Sequence, residues 1–417
     1  MRIAFFSYEY PPETGGGGIG TYLAQMVYYL PRHEHVPVVF CATAKKEAFW
    51  ENEYVYRLPA SSWGDFNKEL PNHFRKIHEQ NKFDIVEATD FRAGGIEIRY
   101  QFPMLPFVVR AHTANYLIDI FLFEKLTGVP RIRFIIGALR RFCLPSFPTP
   151  PNENAYLIEK EIIEQCTSLL SPSKALGNMY IKIGWTKEYE YVPFFYEPKQ
   201  DLLNLLPKKD KNGEINIVFY GRLEIRKGVL EIAKAIPILL KKHPLLKFHF
   251  YGQPANSPKH GYNMVQYLER KLSKCLSNVF FNGAFQSTNL VEVLSQGDVF
   301  IFPSRFDSFG IACCEAMAAG KAVIGSRSGG MAEIIEDGLS GLLVDPNNAE
   351  QIVDKISLLV NNQSMIANMG ENGRKRILNE YSAAKTIPLM INTYNKAIEK
   401  NNTSPFINSK RVETSYL

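Results

Sequence analysis

Two acidic residues, Asp307 and Glu315, flank a Phe-Gly turn in the stretch S-R-F-D-S-F-G-I-A-C-C-E-A-M, with seven residues between them. The residues just before, Asp298 to Phe302, read as a buried strand, and Gly310 to Ala319 read as a helix. Asp307 then falls in the strand-to-helix loop. Glu315 falls about one and a half turns into the helix, at a rise of roughly 1.5 Å per residue. N–H groups at such a helix start have no intrahelical partner and can face a phosphate. A carboxylate further along can accept hydrogen bonds from a pair of sugar hydroxyls. Amides that suit an anion and carboxylates that suit hydroxyls, at one crevice, fit a nucleotide sugar.

Three other stretches carry groups able to work at the same crevice. The loop G-R-L-E-I-R-K-G, Gly221 to Gly228, follows a predicted strand and brings Arg222, Arg226 and Lys227 to a strand end. Fixed cations there would stabilise charge developing on a departing diphosphate; a solvated basic loop is the plainer alternative. Arg226 is expected to be exposed. Near the amino terminus, Y-E-Y-P-P-E-T-G-G-G-G-I-G-T-Y follows the first predicted strand, and its glycines let the backbone approach a ligand without side chains in the way. A flexible loop or a dinucleotide turn are the competing readings, but no G-x-G-x-x-G begins at the strand end with an acidic residue some twenty positions on. Finally, V-V-R-A-H-T places His112 just after a strand, and V-E-A-T-D places Asp90 either beside an acceptor hydroxyl or as a helix cap before Phe91.

These stretches together resemble the retaining glycosyltransferases of the GT-B fold, in particular glycosyltransferase family 4. Glu315 matches the second carboxylate of that family's signature, and Gly329, Gly330 and Glu333 match its later G-G-x-x-E-I turn. Asp307 stands where the family usually has Glu: the charge is kept and the reach is one methylene shorter. The resemblance implies that Arg222 and Lys227 hold the donor diphosphate in place of a metal ion. It implies that Glu315 binds the ribose, and that Asp307 with Phe309, Gly310 and Ile311 holds the donor sugar. Gly17 and Gly18 would close over the donor, Gly20 and Asp90 would border the acceptor, and His112 would contact the reacting sugar. No metal and no cofactor is implied beyond a nucleotide-diphosphate sugar as co-substrate. The acceptor would be a hydroxyl of a glycan, a lipid-linked glycan or a small molecule, and the anomeric configuration would be retained. The rivals are another GT-B enzyme, an epimerase or a phosphorylase, and a nucleotide-sugar-binding partner subunit without activity, for which Asp307 is the one favouring feature.

The elements that must position these groups alternate in type. Arg2–Ser7, Val36–Cys41, Asp84–Ala88 and Phe107–Ala111 read as strands, with helices from about Gly20 to Leu30 and from Asn154 to Ser168. After a proline- and lysine-rich connector near 193–213 the pattern restarts. Strands are expected at Ile215–Tyr220, Lys247–Tyr251, Val279–Phe281 and Val299–Phe302, and helices at Val229–Lys242, Asn263–Cys275 and Thr288–Gln296. Such alternation predicts parallel sheets covered by helices. The expectation is an α/β protein of two doubly wound, Rossmann-like domains facing a central cleft. The first spans 1–200 on the acceptor side and the second 201–383 on the nucleotide-sugar side. A last helix is expected over 384–400, which the resemblance implies crosses back to the first domain, and a polar mobile tail over 401–417.

At 417 residues the chain exceeds one ordinary core. A net charge of +6 suits phosphate-bearing ligands or an anionic membrane surface, and no nucleic-acid-binding signature accompanies it. Six cysteines without C-x-x-C spacing, and a chain that begins directly on a strand, predict reduced thiols in the cytoplasm. Cys313 and Cys314 are expected to be small packing residues. Arginines 131, 133, 140 and 141, interleaved with apolar residues, fit either a peripheral helix at the inner face of an anionic membrane or a buried helix rimmed by arginines.

Overall fold

The computed structural model describes residues 1–15, 17–123, 151–205, 213–285 and 289–403. The arginine cluster at 131–141 lies outside the described residues. Two sheets organise the described part. The first contains β1 (Arg2–Phe6), β2 (Val36–Thr43), β3 (Phe49–Asn52), β4 (Val55–Pro59), β5 (Ile85–Thr89), β6 (Phe107–Arg110), β7 (Ser168–Ser171) and β8 (Glu190–Tyr191), in the order β3-β4-β2-β1-β5-β6-β7-β8. All pairs are parallel except the hairpin β3–β4 at one edge. The second contains β9 (Ile215–Tyr220), β10 (Leu246–Tyr251), β11 (Val279–Phe281), β12 (Val299–Phe302), β13 (Ala322–Ser326) and β14 (Leu342–Val344), ordered β11-β10-β9-β12-β13-β14 and parallel throughout. Counted within its own domain, this is the 3-2-1-4-5-6 order of a doubly wound fold, which opens a ligand crevice where the strand order reverses.

The strands read as near-continuous apolar runs because helices cover both faces. In β1, Ile3 and Phe5 face one layer while Ala4 and Phe6 face the other. In β9, Ile217 and Phe219 face outward helices, and Val218 and Tyr220 face inward. The inward faces of both sheets join one apolar cluster, which runs from Phe5 through Phe194 and Phe309 to Phe300. The two domains therefore share a core at the base of the cleft.

The long helix Ala383–Thr403 closes this arrangement. Its Tyr394 hydroxyl donates to Glu87 Oε2 on β5 at 2.5 Å, and Ile387, Met390 and Ala397 are buried in the shared cluster. The helix continues past residue 400. Asn401 is 1% exposed, donates to the Met104 carbonyl at 2.9 Å and accepts from Arg99, so it is an anchor on the first domain and not the start of a mobile tail.

Several elements differ from the sequence reading. The helix expected over 154–168 is a short 3-10 turn followed by Leu157–Gln165, and Ser168 already belongs to β7. The helix Trp63–Gln80 was not foreseen. Ser62 caps it by accepting from Asp65 N, and Phe66, Leu70, Phe74 and Ile77 line its buried side at helical spacing. The helix Met264–Lys271 is shorter than expected and starts on a reciprocal capping box between Asn263 and Gln266. Among the described residues no helix is long and apolar enough to cross a membrane.

Candidate functional site

At the carboxyl end of β12 the chain leaves the sheet through Pro303 and forms the loop that carries Asp307. Gly310 takes φ +103 and starts the helix Ile311–Ala318; a Cβ there would come within 2.6 Å of Met331 Cγ. Glycine is required on both counts. A second turn packs beneath the first. Gly329 has φ +87, and a Cβ on it would lie 2.2 Å from the Asp307 carbonyl oxygen, while Gly330 N–H donates to that oxygen at 2.8 Å. The S-G-G turn is thus a cradle that fixes the backbone beneath Asp307. Cys313 and Cys314 are fully buried in the shared apolar cluster.

Glu315 projects from the helix toward the cleft, where the Tyr220 hydroxyl donates to its Oε2 at 3.1 Å. Burial pushes its carboxyl up to about 7, and the Tyr220 hydrogen bond offsets part of that rise. Asp307 behaves in the opposite way. Burial alone would raise it, but Lys227 and Arg226 outweigh burial and hold it below its ordinary value. Lys227 Nζ lies 2.5 Å from Asp307 Oδ2.

Lys227 ends a short 3-10 turn, Ile225–Lys227, closed by Gly228 at φ +77 against the Pro303 carbonyl. This packing joins the basic loop after β9 to the acidic loop after β12. Arg222 is 67% exposed and lies 3.7 Å from Glu224. Arg226, expected to be exposed, is instead 17% exposed. It pairs with Glu224 at 2.7 Å and donates to the Phe306 carbonyl at 3.2 Å, which ties the two loops together.

The first domain meets this site at three places. Gly17 caps the helix Gly18–Tyr29, and a Cβ on Gly18 would sit 3.6 Å from Ile311 Cδ1, so the glycine loop rests on the start of the opposite helix. Gly20 is buried, with the place of its Cβ 3.2 Å from Pro11 Cδ. His112 lies under a ladder of rings: it stacks on Phe194 at 5.1 Å, and Phe194 meets Phe309 edge-on at 5.4 Å. Burial and the neighbouring Arg110 push the His112 imidazole down to about 3, so it is neutral in the physiological range.

Asp90 also departs from the acceptor reading. It is fully buried, and its carboxylate accepts from Phe91 N, His112 N, Thr113 N and the Tyr180 hydroxyl. These four donors leave it a positioning group that fixes the backbone of His112. Glu87 and Arg110, which the sequence reading passed over, face each other at 3.4 Å beneath His112, and Tyr22 donates to Glu87 at 2.6 Å. A charged residue inside each of two buried strands was the available signal, because an unpaired buried charge is too costly to keep. Glu333 works across the domains. Its carboxylate accepts from Lys174 N and Ala175 N at 3.1 and 2.9 Å, at the start of the first-domain helix Lys174–Lys182. Among the described residues no group of three or more His, Cys, Asp or Glu side chains could hold a metal ion.

Comparison with known proteins agrees with this geometry. Residues 205–376 match the family model of the glycosyl transferases group 1. A glycosyltransferase of Methanocaldococcus jannaschii is 25% identical over 96% of this chain and 99% of its own. The alpha-maltose-1-phosphate synthase of Mycobacterium tuberculosis is 24% identical over 95% and 99%. Among solved structures, sucrose-phosphate synthase of Thermosynechococcus elongatus superposes with TM-score 0.71 at 19% identity over 95% of this chain and 99% of that one. Anabaena HepE in complex with UDP and glucose superposes with TM-score 0.63 at 15% identity over 95% and 100%. The structural likeness extends across both domains.

Proposed function

Because this chain is a glycosyltransferase of GT-B fold whose second domain belongs to the glycosyl transferases group 1, we propose that its cleft takes a nucleotide-diphosphate sugar. The sugar is moved to a hydroxyl of a glycan, lipid-linked or small-molecule acceptor with retention at the anomeric carbon. The observation that carries this reading is the convergence at one strand-end crevice of Lys227, Asp307, Glu315 and the start of the helix Ile311–Ala318, with Gly18 packed on Ile311. A fold neighbour solved with UDP and glucose supports a nucleoside diphosphate as the ligand class.

In this reading the diphosphate lies between Lys227, Arg222 and the free N–H groups at the helix start. Charge grows on it as the glycosidic carbon–oxygen bond breaks, and the cations act where that charge develops. They serve in place of a divalent metal. Glu315 accepts from the ribose hydroxyls, and Asp307 with Phe309 and Gly310 lines the donor sugar. His112, neutral and held from behind by Asp90, offers a hydrogen bond to the reacting sugar without transferring a proton itself. The acceptor hydroxyl enters on the face the diphosphate leaves, and its proton passes to a departing phosphate oxygen.

The test begins with a thermal-shift screen of nucleotide sugars, since a ligand that binds only the folded state raises the melting temperature. The stabilising donor is then incubated with candidate acceptors, and the anomeric configuration of the product is read by NMR. An inverted product would contradict retention, and stabilisation by no nucleotide sugar would contradict the donor site.

A further inference from the structure

The ion pair between Lys227 and Asp307 lies inside the crevice assigned to the donor. Its partners are 2.5 Å apart, with side chains 23% and 18% exposed. Arg226 and Arg222 both pair with Glu224, and Arg226 acts on Asp307 only electrostatically from beside it, which leaves Lys227 in direct contact with the carboxylate. The backbone at each end is closely packed. Gly330 N–H donates to the Asp307 carbonyl at 2.8 Å, and Gly329 and Gly228 leave no room for a Cβ against the Asp307 and Pro303 carbonyls. Exchange of partners requires only that side chains move.

We propose that Asp307 is the resident counter-ion of Lys227, which an incoming diphosphate must displace, so that position 307 sets both the affinity for nucleoside diphosphate and the ease of its release. This rests on the donor-site reading above. A phosphate oxygen that reaches Lys227 meets an ammonium already compensated by a carboxylate. Its apparent affinity is lowered by the fraction of molecules in which the pair is intact. Once displaced, the Asp307 carboxylate is free to accept from a hydroxyl of the donor sugar. After transfer the nucleoside diphosphate has lost the sugar that held Asp307 away, and the carboxylate returns to Lys227 and helps expel the product. The short aspartate side chain fits this role because it reaches the ammonium directly.

The experiment is titration calorimetry with UDP, GDP and ADP on the whole chain, comparing wild type, Asp307→Asn, Lys227→Ala and the double variant. Removing the counter-charge should tighten binding of the accepted diphosphate about fivefold, the scale of one partly exposed ion pair. Product inhibition should deepen in parallel while kcat falls. The gain should vanish in the double variant, because it runs through Lys227. Asp307→Ser, which is smaller than aspartate, should give the same gain if the amide disturbs folding. Unchanged or weaker diphosphate binding in both substitutions, or a gain that persists without Lys227, would overturn the exchange while leaving the donor site intact. Failure of all three nucleotides to bind wild type would overturn the donor site itself and the exchange with it.

Discussion

Replacing Glu315 with Gln should make the protein more stable at alkaline pH and poorer at holding a donor. Burial raises the Glu315 carboxyl from 4.5 to about 7, so the folded state favours the neutral acid. A group raised in this way contributes its full stability below the unfolded value near 4.5, and that contribution is lost as pH rises through about 7. Glutamine never ionises and suffers no such loss. At about 1.4 kcal/mol per unit the shift corresponds to about 3 kcal/mol. The carboxylate edge stays partly open to the cleft, so about 1–3 kcal/mol is the range to expect. In a domain of this size that is roughly 3–8 °C in melting temperature. Scanning fluorimetry of both proteins from pH 4 to pH 9 reads it directly: the curves should lie together near pH 4, diverge between about pH 4.5 and pH 7, and stay a constant distance apart above that, with the variant higher. At pH 8 the same variant should bind nucleoside diphosphate and nucleotide sugar more weakly, because the ionised carboxylate is the better acceptor for ribose hydroxyls. A stability difference independent of pH would refute the linkage. Wild-type affinity for diphosphate in the variant would refute the ribose role.

Further outcomes follow from the same geometry. Arg222→Ala should lower turnover about a hundredfold with little change in melting temperature, since its exposed side chain acts mainly on charge that develops in the transition state; steady-state kinetics and fluorimetry together check it. Gly329→Ala should destabilise the second domain by more than about 2 kcal/mol and abolish donor binding, because the added methyl would meet the Asp307 carbonyl oxygen at 2.2 Å in a left-handed backbone. Urea unfolding and calorimetry measure the two effects. Glu333→Ala should cost about 1 kcal/mol by leaving the Lys174 and Ala175 N–H groups without their carboxylate acceptor, although Ser173 still caps the helix, and hydrogen exchange should rise at Lys174 and Ala175 before it rises elsewhere. The pH–rate profile should show no inflection from His112 between pH 5 and pH 9, because its imidazole is held far below that range.

Four elements of the second domain were legible to the residue. Ile215–Tyr220, Val229–Lys242, Val279–Phe281 and Val299–Phe302 are observed with the bounds read from sequence, because buried parallel strands and amphipathic helices state their period locally. The helix Trp63–Gln80 is stated just as locally, with a serine cap and apolar residues at helical spacing. Other features were not local. Asp90 sits at a strand end whether it faces an acceptor or the protein interior, and only the approach of Tyr180 and of the His112 backbone decides for the interior. The Lys227–Asp307 contact joins residues eighty apart, and the side-chain length at 307 has meaning only once that distance is known. Glu333 matched a family motif, but its partners lie in the other domain, beyond the reach of any motif.

The central claim is that Lys227 supplies the positive charge on which donor cleavage depends. It is tested most directly by measuring nucleoside diphosphate release from the accepted nucleotide sugar, in the presence of EDTA, by wild type and by Lys227→Ala. The account predicts sustained release by wild type in EDTA, and a loss of at least about a hundredfold in a variant that remains folded at the assay temperature, with its melting temperature lowered by the loss of the Asp307 partner. Release that needs an added divalent metal, or that continues at wild-type rate without Lys227, would contradict it.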